Sequence, residues 1–183
     1  MFSGNELLNQ IIEQYSSNIQ CILKGGSLGN PFIKNPHDID YIIIMRPGVD
    51  DEIVAEIRQL RRQCHERGVN VFVRRKSLAE ETIIMPYSYC DRWAEIIYGQ
   101  CEFWDLFQHR NEYLDMAARY VSDNSTSKGL YHIVTALFFL QHGSYSLTPE
   151  EIKIVNQVHD KNPEIYAYWL NWARETLQNW SGR

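Results

Sequence analysis

Apolar residues open the chain at helical spacing. Leu7, Leu8, Ile11, Ile12 and Tyr15 recur with polar residues between them, which predicts a helix over 5–17 ended by Asn18. The pattern then tightens into a compact apolar run, and Ile19 to Leu23 is expected as a short strand. Residues 24–37, KGGSLGNPFIKNPH, are rich in Gly, Pro and Asn and read as loop. Asp38 to Met45, DIDYIIIM, begins polar and ends apolar, which predicts a central strand covered on both faces. After the turn RPGVDD, the positions Ile53, Ile57, Leu60 and Cys64 mark one face of a helix over 51–66, with Gly68 as its C-cap. Val69 to Val73 alternates apolar and polar as a half-buried strand.

The middle of the chain is less regular. Ser77 to Ala79 suggests a turn of helix, and Thr82 to Met85 another strand closed by Pro86. Arg92 to Tyr98 reads as a helix, and EFWDLF over 102–107 fits strand or helix. Helical spacing then takes over, at 112–121, at 128–142, from Thr148 to about His159, and from Asn162-Pro163 to about Trp180. TPEE at Thr148 is a capping box with Pro at the first helical position. The expected fold class is α+β: a small mixed β-sheet with flanking helices, followed by a C-terminal helical bundle. Residues 1–107 would form the core and 108–183 the helical part, with Trp169, Trp172 and Trp180 in a core or an interface.

Composition narrows the function. The chain has 183 residues and a formal net charge of -5, with a pI of about 5.7. That argues against broad binding to duplex DNA, which favours a basic face, but leaves room for a local basic pocket. The longest apolar stretch, 133–140, is far shorter than a membrane span. Met1 to Gln14 carries Glu6 and Glu13 and no Lys or Arg, unlike a signal peptide. A cytoplasmic protein without a membrane partner is therefore expected. The cysteines, Cys21, Cys64, Cys90 and Cys101, form no C-x-x-C pair. They are expected as reduced, buried or half-buried thiols.

Two neighbouring segments carry chemistry: Lys24-Gly25-Gly26-Ser27-Leu28-Gly29, and Asp38-Ile39-Asp40. Two glycines at the end of a strand let the backbone turn and approach a ligand closely. Ser27 adds a hydroxyl, and backbone N–H groups in such a loop can cradle phosphate oxygens. Carboxylates at i and i+2 of a strand project on one face. Two of them close together repel unless a cation lies between. Mg²⁺ takes oxygen ligands and keeps substrate phosphates in its shell.

Gly26-Ser27, a gap of about ten residues and then Asp38-Ile39-Asp40 on the next strand resemble the signature of the DNA polymerase beta-like nucleotidyltransferase superfamily. The GSLG loop is similar to that of kanamycin nucleotidyltransferase and of minimal nucleotidyltransferases. The resemblance covers residues 19–45 closely and the next helix and strand in layout only. It implies transfer of a nucleoside monophosphate from a nucleoside triphosphate, ATP among the candidates, to an acceptor hydroxyl. It implies Mg²⁺ (or Mn²⁺) on Asp38 and Asp40, which would be the catalytic residues. Lys24, Gly25, Gly26 and Ser27 would bind the nucleotide. The acceptor, a small molecule, a protein or an RNA end, stays open. The C-terminal helices resemble in layout the substrate-binding or dimer-forming helices of small members, so a homodimer is one arrangement.

There is one departure. The family places a third carboxylate on the following strand, where this sequence reads Val69-Asn70-Val71-Phe72-Val73-Arg74, with Asn70 near the expected place. Glu80, Glu81, Glu102 and Asp105 are candidate substitutes. The alternative reading is a catalytically weak member that binds a nucleotide or a partner, as an antitoxin-like or regulatory module. Further residues stand as either functional or ordinary: Lys24 as phosphate contact or solvated, and His37 as functional or simply loop. Arg74, Arg75 and Lys76 are phosphate-binding or a solvated strand end, and Lys128, Tyr131 and His132 are an acceptor site or part of a helix. His65, His109, His142 and His159 show no metal-ligand spacing.

Overall fold

The computed structural model describes residues 4–25, 32, 40–66, 69–74, 91–103, 105–122, 127–159 and 162–181. They fall into two compact units. The first holds the described residues up to 103 other than Phe32; the second holds Phe32 and those from 105 onward.

The first unit runs α1 (Gly4–Tyr15), β1 (Ile19–Gly25), β2 (Asp40–Met45), α2 (Asp51–His65), β3 (Asn70–Arg74) and β4 (Glu95–Gly99). The strands form one mixed sheet in the order β3-β2-β1-β4. β1 is antiparallel to both β2 and β4, while β2 and β3 are parallel. The parallel pair requires a crossover, and α2 supplies it. Leu7, Leu8 and Ile11 of α1, with Val54, Ile57 and Cys64 of α2, pack on Ile22, Tyr41, Ile43, Met45, Val71 and Val73. Each fully buried Ile or Leu contributes about 1.5–3 kcal/mol. The residues that alternate with these, Cys21, Leu23, Ile42 and Ile44, are buried as well. The two central strands are thus covered on both faces, which accounts for the unbroken apolar run at 41–45.

Three expectations need correcting. β1 does not stop at Leu23: Lys24 and Gly25, read as loop, pair with Tyr41 and Asp40. Residues 92–98 are not a helix; Glu95–Gly99 is an edge strand on β1. Its burial alternates, with Ile96 and Tyr98 half-buried between exposed neighbours. Ile-Ile-Tyr has strong β propensity, and the pairing satisfies β1 backbone groups that would otherwise go unbonded. The described part of 102–107 is neither strand nor helix. Asp105 accepts hydrogen bonds from the Phe107 and Gln108 N–H groups at 2.9 and 2.8 Å and fixes a turn instead. Gly68, 77–79 and 82–85 lie outside the described residues.

The second unit is helical: α3 (Arg110–Ser122), α4 (Ser127–His142), α5 (Pro149–His159) and α6 (Pro163–Ser181). Every residue from Leu130 to Phe139 is buried, so α4 is its core. Phe138 packs on Trp169 and Trp172 of α6 with ring centroids 5.9 and 5.1 Å apart. The helix starts follow the sequence. Thr148 and Glu151 close the capping box, with Thr148 N–H donating to Glu151 Oε2 at 2.7 Å. Asn162 Oδ1 accepts from Glu164 N–H at 3.0 Å. Among the described residues, no helix is long and apolar enough to cross a membrane.

Candidate functional site

The strand register gathers the candidate residues at one end of the sheet. Gly25, the last residue of β1, faces Asp40, the first of β2. Asp40 in turn faces Asn70, the first of β3. On the other side of β1, Lys24 faces Glu95, the first of β4. One rim of the sheet therefore carries, in order, Asn70, Asp40, Gly25 and the Lys24–Glu95 pair. Asp40 is half-buried, and on its β1 side it meets a residue with no side chain.

Asn70 occupies the place next to Asp40 where a third carboxylate was sought. Its side chain is held: His65 Nδ1, at the end of α2, donates to Asn70 Oδ1 at 2.8 Å. The sequence reading gave His65 no role. The cue was the short connection from α2 to β3, which returns the last turn of the helix to the strand it precedes.

Lys24 lies 3.6 Å from Glu95, with side chains 43% and 68% exposed. Such an exposed pair adds little stability. Alternation along β1 and β2 sets Lys24 beside Tyr41 and on the face opposite Asp40. As the partner of Lys24, Glu95 lies on that same face. Glu95 is the acid that sequence reasoning missed, because the segment around it was read as a helix. The alternation of Glu95–Gly99 was the signal that could have revealed it.

Gly26, Ser27, Asp38, His37, Arg75, Lys76, Glu80 and Glu81 lie outside the described residues. Asp105 belongs to the second unit and is engaged by its own turn and by Tyr145, whose hydroxyl donates to Oδ2 at 3.4 Å. Tyr131 and His132 are buried in the core of α4. Their rings contact each other, and Tyr131 also meets His159.

The donors at the rim, the Asp40 carboxylate and the Asn70 amide, are hard oxygens, and the nearby imidazole is taken up by Asn70. That chemistry fits a Mg²⁺ ion that draws most of its shell from phosphates and water. Among the described residues, no cluster of three or more His, Cys, Asp or Glu is gathered to hold a metal unaided.

No protein-family model matches the sequence, and no curated protein matches it. Solved structures do. The spectinomycin adenyltransferase AAD(9) from Enterococcus faecialis, solved with ATP and spectinomycin, superposes with a TM-score of 0.59. The superposition covers 96% of this chain and 98% of that one at 11% sequence identity. The chain has a nucleotidyltransferase fold. At that identity the likeness speaks for the fold alone.

Proposed function

We propose that the protein transfers a nucleoside monophosphate from a nucleoside triphosphate, ATP first among the candidates, to the hydroxyl of a small-molecule acceptor. The observation that carries this reading is the rim itself: Asp40 beside the bare backbone of Gly25, with a carboxylate on the far side at Glu95, in a chain of nucleotidyltransferase fold.

In this reading Gly25, Gly26 and Ser27 cradle the triphosphate where β1 ends. Asp38 and Asp40 hold the cation. Mg²⁺, when bound, would neutralise charge on the phosphates and lower the barrier to displacement at phosphorus. The acceptor oxygen bonds to the α-phosphorus as the bond to the bridging oxygen breaks; pyrophosphate leaves with that electron pair, and the hydroxyl proton passes to a carboxylate. Glu95 is the proposed third carboxylate. Adjacent strands lie about 4.8 Å apart, so the backbones at Asp40 and Glu95 are separated by about 10 Å. Glu95 pairs with Lys24 and so starts on the face opposite Asp40; to share a cation with Asp40 its side chain must swing round the end of the sheet past Gly25, which has no side chain in the way. Lys24 neutralises Glu95 at rest and turns to the phosphates when Glu95 is drawn toward the cation. Asn70, fixed by His65, offers an uncharged amide beside Asp40.

The test is incubation with each labelled triphosphate, Mg²⁺ and a panel of hydroxyl-bearing small molecules, scoring pyrophosphate release and label transfer. Transfer that vanishes in Asp40→Asn, with the fold intact by circular dichroism, supports the reading. Nucleotide binding without transfer to any acceptor, in wild type and Asp40→Asn alike, refutes it.

A further inference from the structure

β4 leaves the sheet at Gly99, and its departure brings two cysteines together. Gly99 has φ 70, and a Cβ there would lie 2.1 Å from the Gln20 carbonyl oxygen, so only glycine fits. Gly99 faces Cys21 across the β1–β4 pair. The next residue still holds on to β1, with Gln100 N–H donating to Gln20 O at 3.3 Å. Cys101 therefore arrives on the diagonal from Cys21, on the same face of the pair. Gly99 puts no side chain between the two sulfurs. Each thiol is close enough to shift the other's proton affinity, and neither is in a disulfide. Cys21 is buried while Cys101 is only half-buried, so an oxidant arriving from solvent meets Cys101 first.

We propose that Cys101 and Cys21 form a peroxide-sensitive dithiol site, in which Cys101 is the attacking sulfur and Cys21 the resolving one. The division of labour follows from exposure: Cys101 is half-buried and Cys21 buried. The Cys21 thiol beside it holds the Cys101 thiol below its ordinary range despite partial burial. The same neighbour, together with burial, pushes the Cys21 thiol up. The thiolate is the nucleophile in such chemistry.

Cys101 sulfur attacks one peroxide oxygen. An S–O bond forms, the O–O bond breaks and hydroxide leaves, to be protonated to water. Cys101 is oxidised by two electrons to the sulfenic acid and the peroxide is reduced. Cys21 loses its proton and its sulfur attacks Cys101 sulfur; the S–S bond forms, the S–O bond breaks and hydroxide leaves, protonated to a second water. An added dithiol reverses the bond by exchange. The result is a covalent tie between β1 and the segment after β4.

The experiment treats the full chain with hydrogen peroxide, alkylates remaining thiols and maps the digest by mass spectrometry without reductant. The expected product is one bridged peptide joining Cys21 to Cys101, formed with the loss of two hydrogens and cleared by dithiothreitol. In Cys21→Ala, Cys101 should accumulate as a dimedone-trappable sulfenic acid and proceed to the sulfinic acid. In Cys101→Ser, Cys21 should resist peroxide about tenfold longer than in wild type. Three results would each overturn the proposal: a bridge from Cys101 to Cys64 or Cys90, wild-type Cys101 reaching sulfinic acid as fast as in Cys21→Ala, or unchanged loss of the Cys21 thiol in Cys101→Ser. None of them depends on the transfer reaction, so the two proposals stand or fall separately.

Discussion

Asn70 is the residue that the parallel β2–β3 ladder sets beside Asp40, and its amide oxygen accepts from His65 Nδ1 at 2.8 Å. Asn70→Asp keeps the size and adds a charge. Two carboxylates on neighbouring strands repel by about 1 kcal/mol in a water-like setting and by up to about 4 kcal/mol where solvent is partly excluded. The variant should therefore melt a few degrees lower than wild type in chelator. A cation between the carboxylates removes the repulsion, so Mg²⁺ should raise its Tm more than that of wild type. Calorimetry with and without Mg²⁺ checks this. Equal Mg²⁺ responses in the two proteins would show that residue 70 does not border a cation site.

The start of α5 makes a pH-dependent contribution to stability. Burial pushes the Glu151 carboxyl up, but hydrogen bonds from Thr148 N–H, His142 and the Thr148 hydroxyl more than offset this and leave it below its ordinary range. His142 Nε2 lies 2.9 Å from Glu151 Oε1. A carboxyl depressed in the folded state favours folding above its unfolded pKa, and that gain is lost as pH falls through the folded value. Glu151→Gln should thus cost about 1 kcal/mol at neutral pH, as capping losses do. The gap from wild type should begin to narrow as pH falls past the ordinary glutamate value of about 4.3 and close only once pH is below the depressed folded value. Urea melts across that range read the difference, and a gap that stays constant down to acid pH would contradict it.

Gly48 and Gly99 share a left-handed backbone, φ 80 and φ 70, but not their surroundings. Nothing lies within 4 Å of a Cβ at Gly48, whereas one at Gly99 meets the Gln20 carbonyl oxygen. Gly48→Ala carries only the backbone strain of about 1–2 kcal/mol, partly offset by a stiffer unfolded chain. Gly99→Ala adds overpacking against backbone, for a total of about 3 kcal/mol. In a chain of this size that corresponds to a Tm loss of about 6–12 °C. Thermal melts of the two variants side by side test the argument, and equal losses would remove the close approach of β4 to β1 from it.

The readable parts of the sequence were those where local chemistry and tertiary need agree. TPEE announced α5 because Thr148 and Glu151 satisfy each other without help from elsewhere. Asp38 to Met45 announced a central strand because burial on both faces leaves no polar position after Asp40. Glu95 to Gly99 was misread because a five-residue edge strand draws its reason from β1, seventy residues earlier in the chain. The same misreading hid an acid at the rim. His65 escaped for a similar reason: its partner Asn70 lies across a turn, and nothing in the spacing of histidines marks a contact with an amide.

The proposed identity of the third carboxylate can be decided by comparing candidates. Two-metal transfer needs ligands for both ions, and Asp38 with Asp40 can hold the nucleotide-bound one because the triphosphate supplies most other oxygens. A further acid must come from another segment. Glu95 begins β4 at the same end of the sheet as Asp40, where it pairs with Lys24. Asp105 already accepts two backbone N–H groups, so Asp105→Asn should lower stability by about 1 kcal/mol without a specific loss of transfer. Glu102 is exposed and follows Cys101 away from the strand. Glu95→Gln should therefore slow transfer by a hundredfold or more, about 3 kcal/mol in the barrier, while nucleotide still binds with Mg²⁺. Lys24→Met should instead weaken nucleotide binding, since its proposed partner in the working state is phosphate. Parallel measurements on Glu80→Gln, Glu81→Gln and Glu102→Gln complete the set. A hundredfold loss in one of those three with Glu95→Gln unaffected would move the third carboxylate to that residue, and with it the assignment of the β4 end of the rim.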